Sequence, residues 1–204
     1  AYEIRLSLVG SEMCIRDRFI ADGEFQQTDA TNENVIIQWR GKTVEEPYII
    51  EVSKNKQDGY RKVDHIYVDT RNHNICSTYI HDLKPGSSYY VRIYSVDSSR
   101  KKKYSEPLEV VTEPEGKIEN LKYEWKKSNS VKLSWDKVSG ANVYKVRYYK
   151  DNDEYIKYTT KNSLTLKNLK KGEGYSTRVE PMRQSESGFH VESNNAGEGK
   201  IYIE

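Results

Sequence analysis

The chain has 204 residues, of which 35% are hydrophobic and 31% charged; such a polar composition suits small domains with thin local cores better than one large core. The formal net charge is +2, with acids and bases mixed along the chain, which gives no general case for nucleic-acid binding. No apolar run approaches the roughly 18 residues of a membrane-spanning helix, while 17 Tyr, with β-branched residues and punctuating Gly, favour strands.

The sequence begins with Ala1 and is expected to be a fragment or a processed product. Glu3, Arg5 and Glu12 break up its first apolar stretch, so no signal peptide is read there. Residues 7–18, SLVGSEMCIRDR, resemble the peptide made when a sequencing adapter is translated by read-through. Residues 1–18 are therefore set aside as non-native or disordered, and no role is assigned to Cys14.

The next segments occur twice. Val35, Ile37 and Trp39 alternate along one strand face, and Val131, Leu133 and Trp135 repeat that pattern. Nine residues after each Trp a Tyr opens a second alternating strand, at Tyr48 and at Tyr144. A third matched segment runs from Leu83 through Gly86 to Tyr89, then Val91 and Ile93. Its counterpart runs from Leu169 through Gly172 to Tyr175, then Thr177 and Val179. In both, the Tyr lies six residues after the Leu. Each Gly supplies a sharp turn, and each buried Tyr needs a hydroxyl partner, which the carbonyls of a tight loop could provide.

An inward Trp, a Tyr-initiated strand and then Leu-x-Pro-Gly-x-x-Tyr-x-Val-x-Val resemble the fibronectin type III family, over residues 19–204. The resemblance implies an all-β fold of two tandem immunoglobulin-like Greek-key sandwiches. It places Trp39 and Trp135 between the sheets and makes Tyr89 and Tyr175 the tyrosine corners. Module one is expected over residues 19–113, a linker over 114–116 and module two over 117–204. The short linker should restrict, without fixing, the angle between modules. Module two departs from the pattern: Lys171 stands for Pro, Pro181 is expected to interrupt a strand, and a Gly/Asn-rich stretch over residues 194–199 precedes a last strand at Ile201, Tyr202 and Ile203.

Residues able to carry chemistry are sparse. Cys76, in step with Thr78 and Ile80, reads as a small buried hydrophobe rather than a reactive thiol. His65, His81 and His190 lack ligand spacing, and His73 with Cys76 supplies too few ligands for zinc, so no metal is expected. Asp151, Asn152, Asp153 and Glu154 read as a solvated hairpin turn, without the longer oxygen-ligand pattern of a calcium loop. No nucleophile elbow, phosphate loop or dinucleotide fingerprint is present, so the chain is expected to be no enzyme and to use no cofactor.

Two partner surfaces stand out. The first is the loop over residues 98–104, with Arg100, Lys101, Lys102, Lys103 and Tyr104, whose charge suits acidic proteins, sulfated glycans or anionic headgroups. The second is an outward sheet face with Ile49, Glu51, Tyr90, Arg92 and Tyr94, a composition like that of binding hot spots. The equivalent face of module two, with Lys145, Arg147, Ser176, Arg178 and Glu180, reads as simply charged. The expectation is a monomeric, non-catalytic binding or spacer segment of a larger extracellular or cell-surface protein, mediating adhesion or protein interaction with a protein or glycan ligand. The alternatives are accessory modules of a secreted carbohydrate-active enzyme and an intracellular structural array.

Overall fold

The computed structural model describes residues 25–40, 48–63, 69–72, 75–96, 99–127, 129–151, 153–193 and 195–203. The adapter-like segment, Cys14, His65, His73 and Asn152 lie outside them.

Module one contains β1 (Phe25–Ala30), β2 (Val35–Arg40), β3 (Ile49–Ser53), β4 (Arg61–Lys62), β5 (Asp69–Asn72), β6 (Ile75–Ile80), β7 (Ser88–Val96), β8 (Lys102–Tyr104) and β9 (Leu108–Val111). Its sheets have the orders β1-β2-β6-β5 and β4-β3-β7-β8, with β9 also pairing with β7. Module two contains β10 (Lys122–Lys127), β11 (Ser130–Ser134), β12 (Val143–Lys150), β13 (Asp153–Thr159), β14 (Ser163–Leu166), β15 (Gly174–Gln184), β16 (His190–Glu192) and β17 (Gly197–Tyr202). The orders are β10-β11-β14 and β13-β12-β15-β16, with β17 also pairing with β15. All described pairings are antiparallel.

Alternation on β2, β3 and β7 drives Val35, Ile37, Trp39, Ile50, Val52, Val91 and Ile93 into one core. Val131, Leu133, Trp135, Val146 and Val179 begin the other. The nine-residue Trp–Tyr spacing has a packing meaning. Trp39 meets Tyr48 edge to face at 5.4 Å, and Trp135 meets Tyr144 at 5.2 Å. Gln27 joins one sheet to the last strand of the other: its amide nitrogen donates to Val111 O at 2.7 Å and its oxygen accepts the Val111 N–H at 2.9 Å. Cys76 is buried beside Thr78 and Ile80, and desolvation raises its thiol pKa.

The tyrosine corners form with the opposite polarity to the carbonyl bonding expected from the sequence. The Tyr89 hydroxyl accepts the Lys84 N–H at 2.7 Å, and the Tyr175 hydroxyl accepts the Lys170 N–H at 3.1 Å. The turn amides point inward at each ring's tip, so the hydroxyl serves as an acceptor. Lys171 in place of Pro is compatible with the same turn, Gly172 adopting φ +76° as Gly86 adopts +54°.

Two expectations about module two are corrected. Pro181 does not interrupt its strand, since β15 runs unbroken from Gly174 to Gln184. On its open side β17 pairing ends at Val179 and β16 pairing begins at Met182, so Pro181 sits in the gap between two partners. Its carbonyl accepts the Ser193 N–H at 2.9 Å, and no ladder bond is asked of the N–H it lacks. The last strand also begins earlier than expected, at Gly197. A Cβ at Gly197 would fall 2.5 Å from Ile118 Cγ2, and one at Gly199 1.9 Å from Tyr123 Oη. These glycines admit side chains pressed onto the strand backbone.

Candidate functional site

The cationic segment of module one is not one open loop. Lys102, Lys103 and Tyr104 form β8, paired with Val96, Ser95 and Tyr94 of β7. The final strand is split into β8 and β9 around Ser105-Glu106-Pro107. Ser105 keeps the pairing alive at the break: its N–H donates to Ile93 O at 2.8 Å and its Oγ accepts the Ile93 N–H at 3.0 Å. Pairing therefore places the lysines on alternate faces. Lys102 Nζ lies 4.5 Å over the Tyr94 ring, and Tyr94 and Tyr104 raise its pKa by hydrogen bonding and charge. Arg100 sits in the turn at φ +62°, and Arg100, Lys101, Lys102 and Lys103 are all exposed.

The outward face of β3 and β7 assembles around Arg92. Glu51 opposes Arg92 across the ladder, and its carboxylate takes Nε at 2.7 Å and Nη2 at 2.6 Å. The guanidinium is covered by two rings, Tyr60 at 3.9 Å and Tyr104 at 4.4 Å. Tyr104 also packs on Tyr94 at 4.9 Å. Tyr94 is outward yet only 6% exposed, whereas Tyr104 is 39% exposed. Ile49, opposite Tyr94, is half-buried at the margin. Tyr90 lies between the stack and the module junction: it acts on Tyr60 on one side and on Glu109 and Glu186, the latter in module two, on the other, and burial followed by those acids raises its own pKa.

The structure thus joins Arg92, Tyr94, Lys102 and Tyr104, which the sequence assigned to two surfaces, into one stack. It leaves Tyr90 at the module junction. Tyr60 was missed by the sequence reading. Its signal is the Asp58-Gly59 pair before it, where Gly59 adopts φ +69° and turns the chain back toward β3. Trp39, Tyr89, Trp135 and Tyr175 are buried framework in both modules.

The corresponding face of module two is a ladder of ion pairs rather than a merely solvated charged surface. Glu180 accepts Arg147 Nε at 2.8 Å and Arg178 Nε at 2.9 Å; Glu192 accepts Lys145 Nζ at 2.6 Å. Lys145 and Glu180 are themselves buried. Burial, the largest influence on Arg147, works against its charge, but Tyr149 and Glu180 outweigh it and hold the pKa above its ordinary value. These charges are committed to one another. The exposed aromatics of module two are dispersed over three strands: Trp125 belongs to β10, Tyr155 and Tyr158 alternate to opposite faces of β13, and Tyr202 lies on β17. His81 hydrogen-bonds Asn34 at 3.0 Å and stacks on Tyr79. Among the described residues no group of three or more His, Cys, Asp or Glu side chains is placed to hold a metal, and no helix is long and apolar enough to cross a membrane.

Two antiparallel sandwiches in series, each with an inter-sheet Trp and a tyrosine corner, define a tandem of immunoglobulin-like β-sandwich modules. The sequence profile of the fibronectin type III domain matches residues 23–111 and 116–196, and the chain belongs to that family. Solved chains of similar structure number 535, so the architecture alone assigns no ligand. One is the FN1–FN3 segment of chicken CNTN1, with TM-score 0.46 and 17% identity, covering 87% of this chain and 66% of that one. Another is a two-domain fibronectin type III segment of chicken tenascin, with TM-score 0.45 and 16% identity, covering 87% of this chain and 97% of that one. No curated protein sequence matches the chain.

Proposed function

We propose that this chain is a monomeric, non-catalytic binding and spacer segment of a larger extracellular or cell-surface protein, and that module one presents its ligand-facing surface. The observation that carries the reading is the Arg92 stack: a guanidinium fixed by Glu51 and covered by Tyr60 and Tyr104. Rigid aromatic and Arg side chains can bind with little further loss of side-chain entropy, and they dominate protein interfaces. Beside the stack, exposed Arg100, Lys101 and Lys103 supply a positive rim suited to an acidic protein surface. The compartment and the role in adhesion are supported by family resemblance. Module two, with its charges paired internally, serves as spacer.

The test uses an immobilised acidic polypeptide, polyglutamate, and the 204-residue chain at low and physiological salt. Binding should weaken with salt and fall about tenfold or more in Lys101→Ala/Lys103→Ala/Tyr104→Ser, on the expectation that a central anchor contributes ~2 kcal/mol. Salt-independent binding, or binding unchanged in the variant, would remove this surface from consideration. Stronger retention on sulfated heparin than on polyglutamate, with the same residue dependence, would redirect the ligand class to glycans.

A further inference from the structure

The modules meet through a contact that involves much more than the linker. In module one the Leu83–Tyr89 turn presents Gly86; in module two the loop after Trp135 presents Gly140. A Cβ on Gly86 would fall 2.5 Å from Gly140 Cα, and one on Gly140 2.4 Å from Gly86 Cα. Both residues have positive φ, +54° and +79°. The two backbones touch at a pair of positions where neither carries a side chain.

Arg183, near the end of β15, spans this contact. Its Nη1 donates to Gly140 O at 2.8 Å within module two, and its Nη2 donates to Ser88 Oγ of module one at 2.9 Å. Its Nε is buried without a hydrogen-bond partner among the described residues. Burial lowers the Arg183 pKa, while Glu109 of module one acts in the opposite direction and favours the charge. Glu109 also crosses the junction itself, accepting the Glu186 N–H at 2.6 Å. Three residues of module one, Gly86, Ser88 and Glu109, are thereby engaged by Gly140, Arg183 and Glu186 of module two.

The chain between the modules is held at both ends. Gly86 N–H donates to Glu113 O at 2.8 Å and Glu113 N–H to Thr31 O at 2.9 Å, which fastens the linker's start to module one. Ile118 N–H donates to Asn195 O at 3.2 Å, which fastens its end to module two. Pro114 between them is buried.

We infer that the two modules form one rigid body, with their angle set by the Gly86–Gly140 contact, by Arg183 acting as a strut onto Ser88 and by the Glu109 carboxylate holding the Glu186 amide. A functional consequence follows. The turn after β15, residues 185–189, is module two's equivalent of the Arg100 turn, and its Glu186 amide is occupied by Glu109. Module two's turn is thereby used to hold module one. This holds whatever ligand module one takes.

Residual dipolar couplings on the 204-residue chain test the inference directly. In the wild type both modules should fit a single alignment tensor. In Arg183→Met/Glu109→Gln, each module should keep its dispersed spectrum while the degrees of order of the two modules diverge by about twofold or more, because free relative motion is the default for modules without a specific interface. Ser88→Ala, which removes the Oγ acceptor of Arg183 at the half-buried junction and touches neither core, should move the couplings in the same direction by less. Two unrelated tensors in the wild type would overturn the proposal. So would a single tensor that survives unchanged in the double variant.

Discussion

Gly199→Ala should destabilise module two far more than a strand glycine ordinarily would. Gly199 pairs with Thr177, and a Cβ there would meet Tyr123 Oη at 1.9 Å, Cζ at 2.8 Å and Cε2 at 3.1 Å. Ordinary contact begins near 3.4 Å, so the Tyr123 ring must withdraw by roughly 1.5 Å. Withdrawal breaks the 2.8 Å hydrogen bond between Tyr123 and the buried Thr177 hydroxyl. It also disturbs the packing of Tyr123 on the core. Overpacking costs about 1–3 kcal/mol and the lost hydrogen bond about 1 kcal/mol, giving about 2–4 kcal/mol in total. For a domain of this size each kcal/mol moves Tm by about 4–8 °C. Urea and thermal denaturation measure the effect, with hydrogen exchange assigning each transition to its module. Tyr123→Phe removes the nearest atom but leaves Cζ at 2.8 Å, so Gly199→Ala in that background should cost about 1 kcal/mol less. In Tyr123→Ala the cost should largely vanish. A Gly199→Ala cost below about 0.5 kcal/mol, or one equal in all three backgrounds, would refute the reasoning.

Other outcomes follow from the same geometry. Tyr89→Phe and Tyr175→Phe each remove the acceptor for one turn amide; because Lys84 and Lys170 are exposed and water can replace the bond, each should cost only about 1 kcal/mol by urea midpoint. Cys76 should resist iodoacetamide in the native chain and react at the unfolded rate in urea, because burial raises its thiol pKa and blocks access; rapid native labelling confined to Cys76 would contradict its placement. Burial raises the Glu192 pKa, but the Lys145 hydrogen bond and charge, with Arg147 and His190, outweigh that influence and leave it below the usual carboxylate value. A lowered folded pKa means that its stabilisation is present above about pH 4.3 and is lost as pH falls through the folded value, so Glu192→Gln should flatten the acid limb of module two's stability curve.

The repeat itself was legible in the sequence because strand faces alternate with period two. Val35, Ile37 and Trp39, with Val131, Leu133 and Trp135, marked the cores, and the equal Trp-to-Tyr spacing marked two copies of one fold. The six-residue interval from Leu to Tyr likewise marked both corners, though not the direction of their hydrogen bonds. That direction depends on where the turn amides point, which only the folded turn fixes. The surface was less legible. Residues 98–104 read as a loop because nothing local announces that Lys102 and Tyr104 pair with β7, and nothing near Arg92 announces that Tyr60, more than thirty positions away, covers it. Pro181 and the glycines of β17 read as breaks because their local propensities oppose strands. The tertiary structure uses the missing N–H in a gap between two partners, and the missing Cβ atoms where Ile118 and Tyr123 press on the backbone. The sequence by itself determined the family, the two cores and their corners, since each rests on a periodic local pattern. Only the tertiary structure decided which charges are committed to each other and how Arg183 meets Ser88, because those depend on residues brought together from distant parts of the chain.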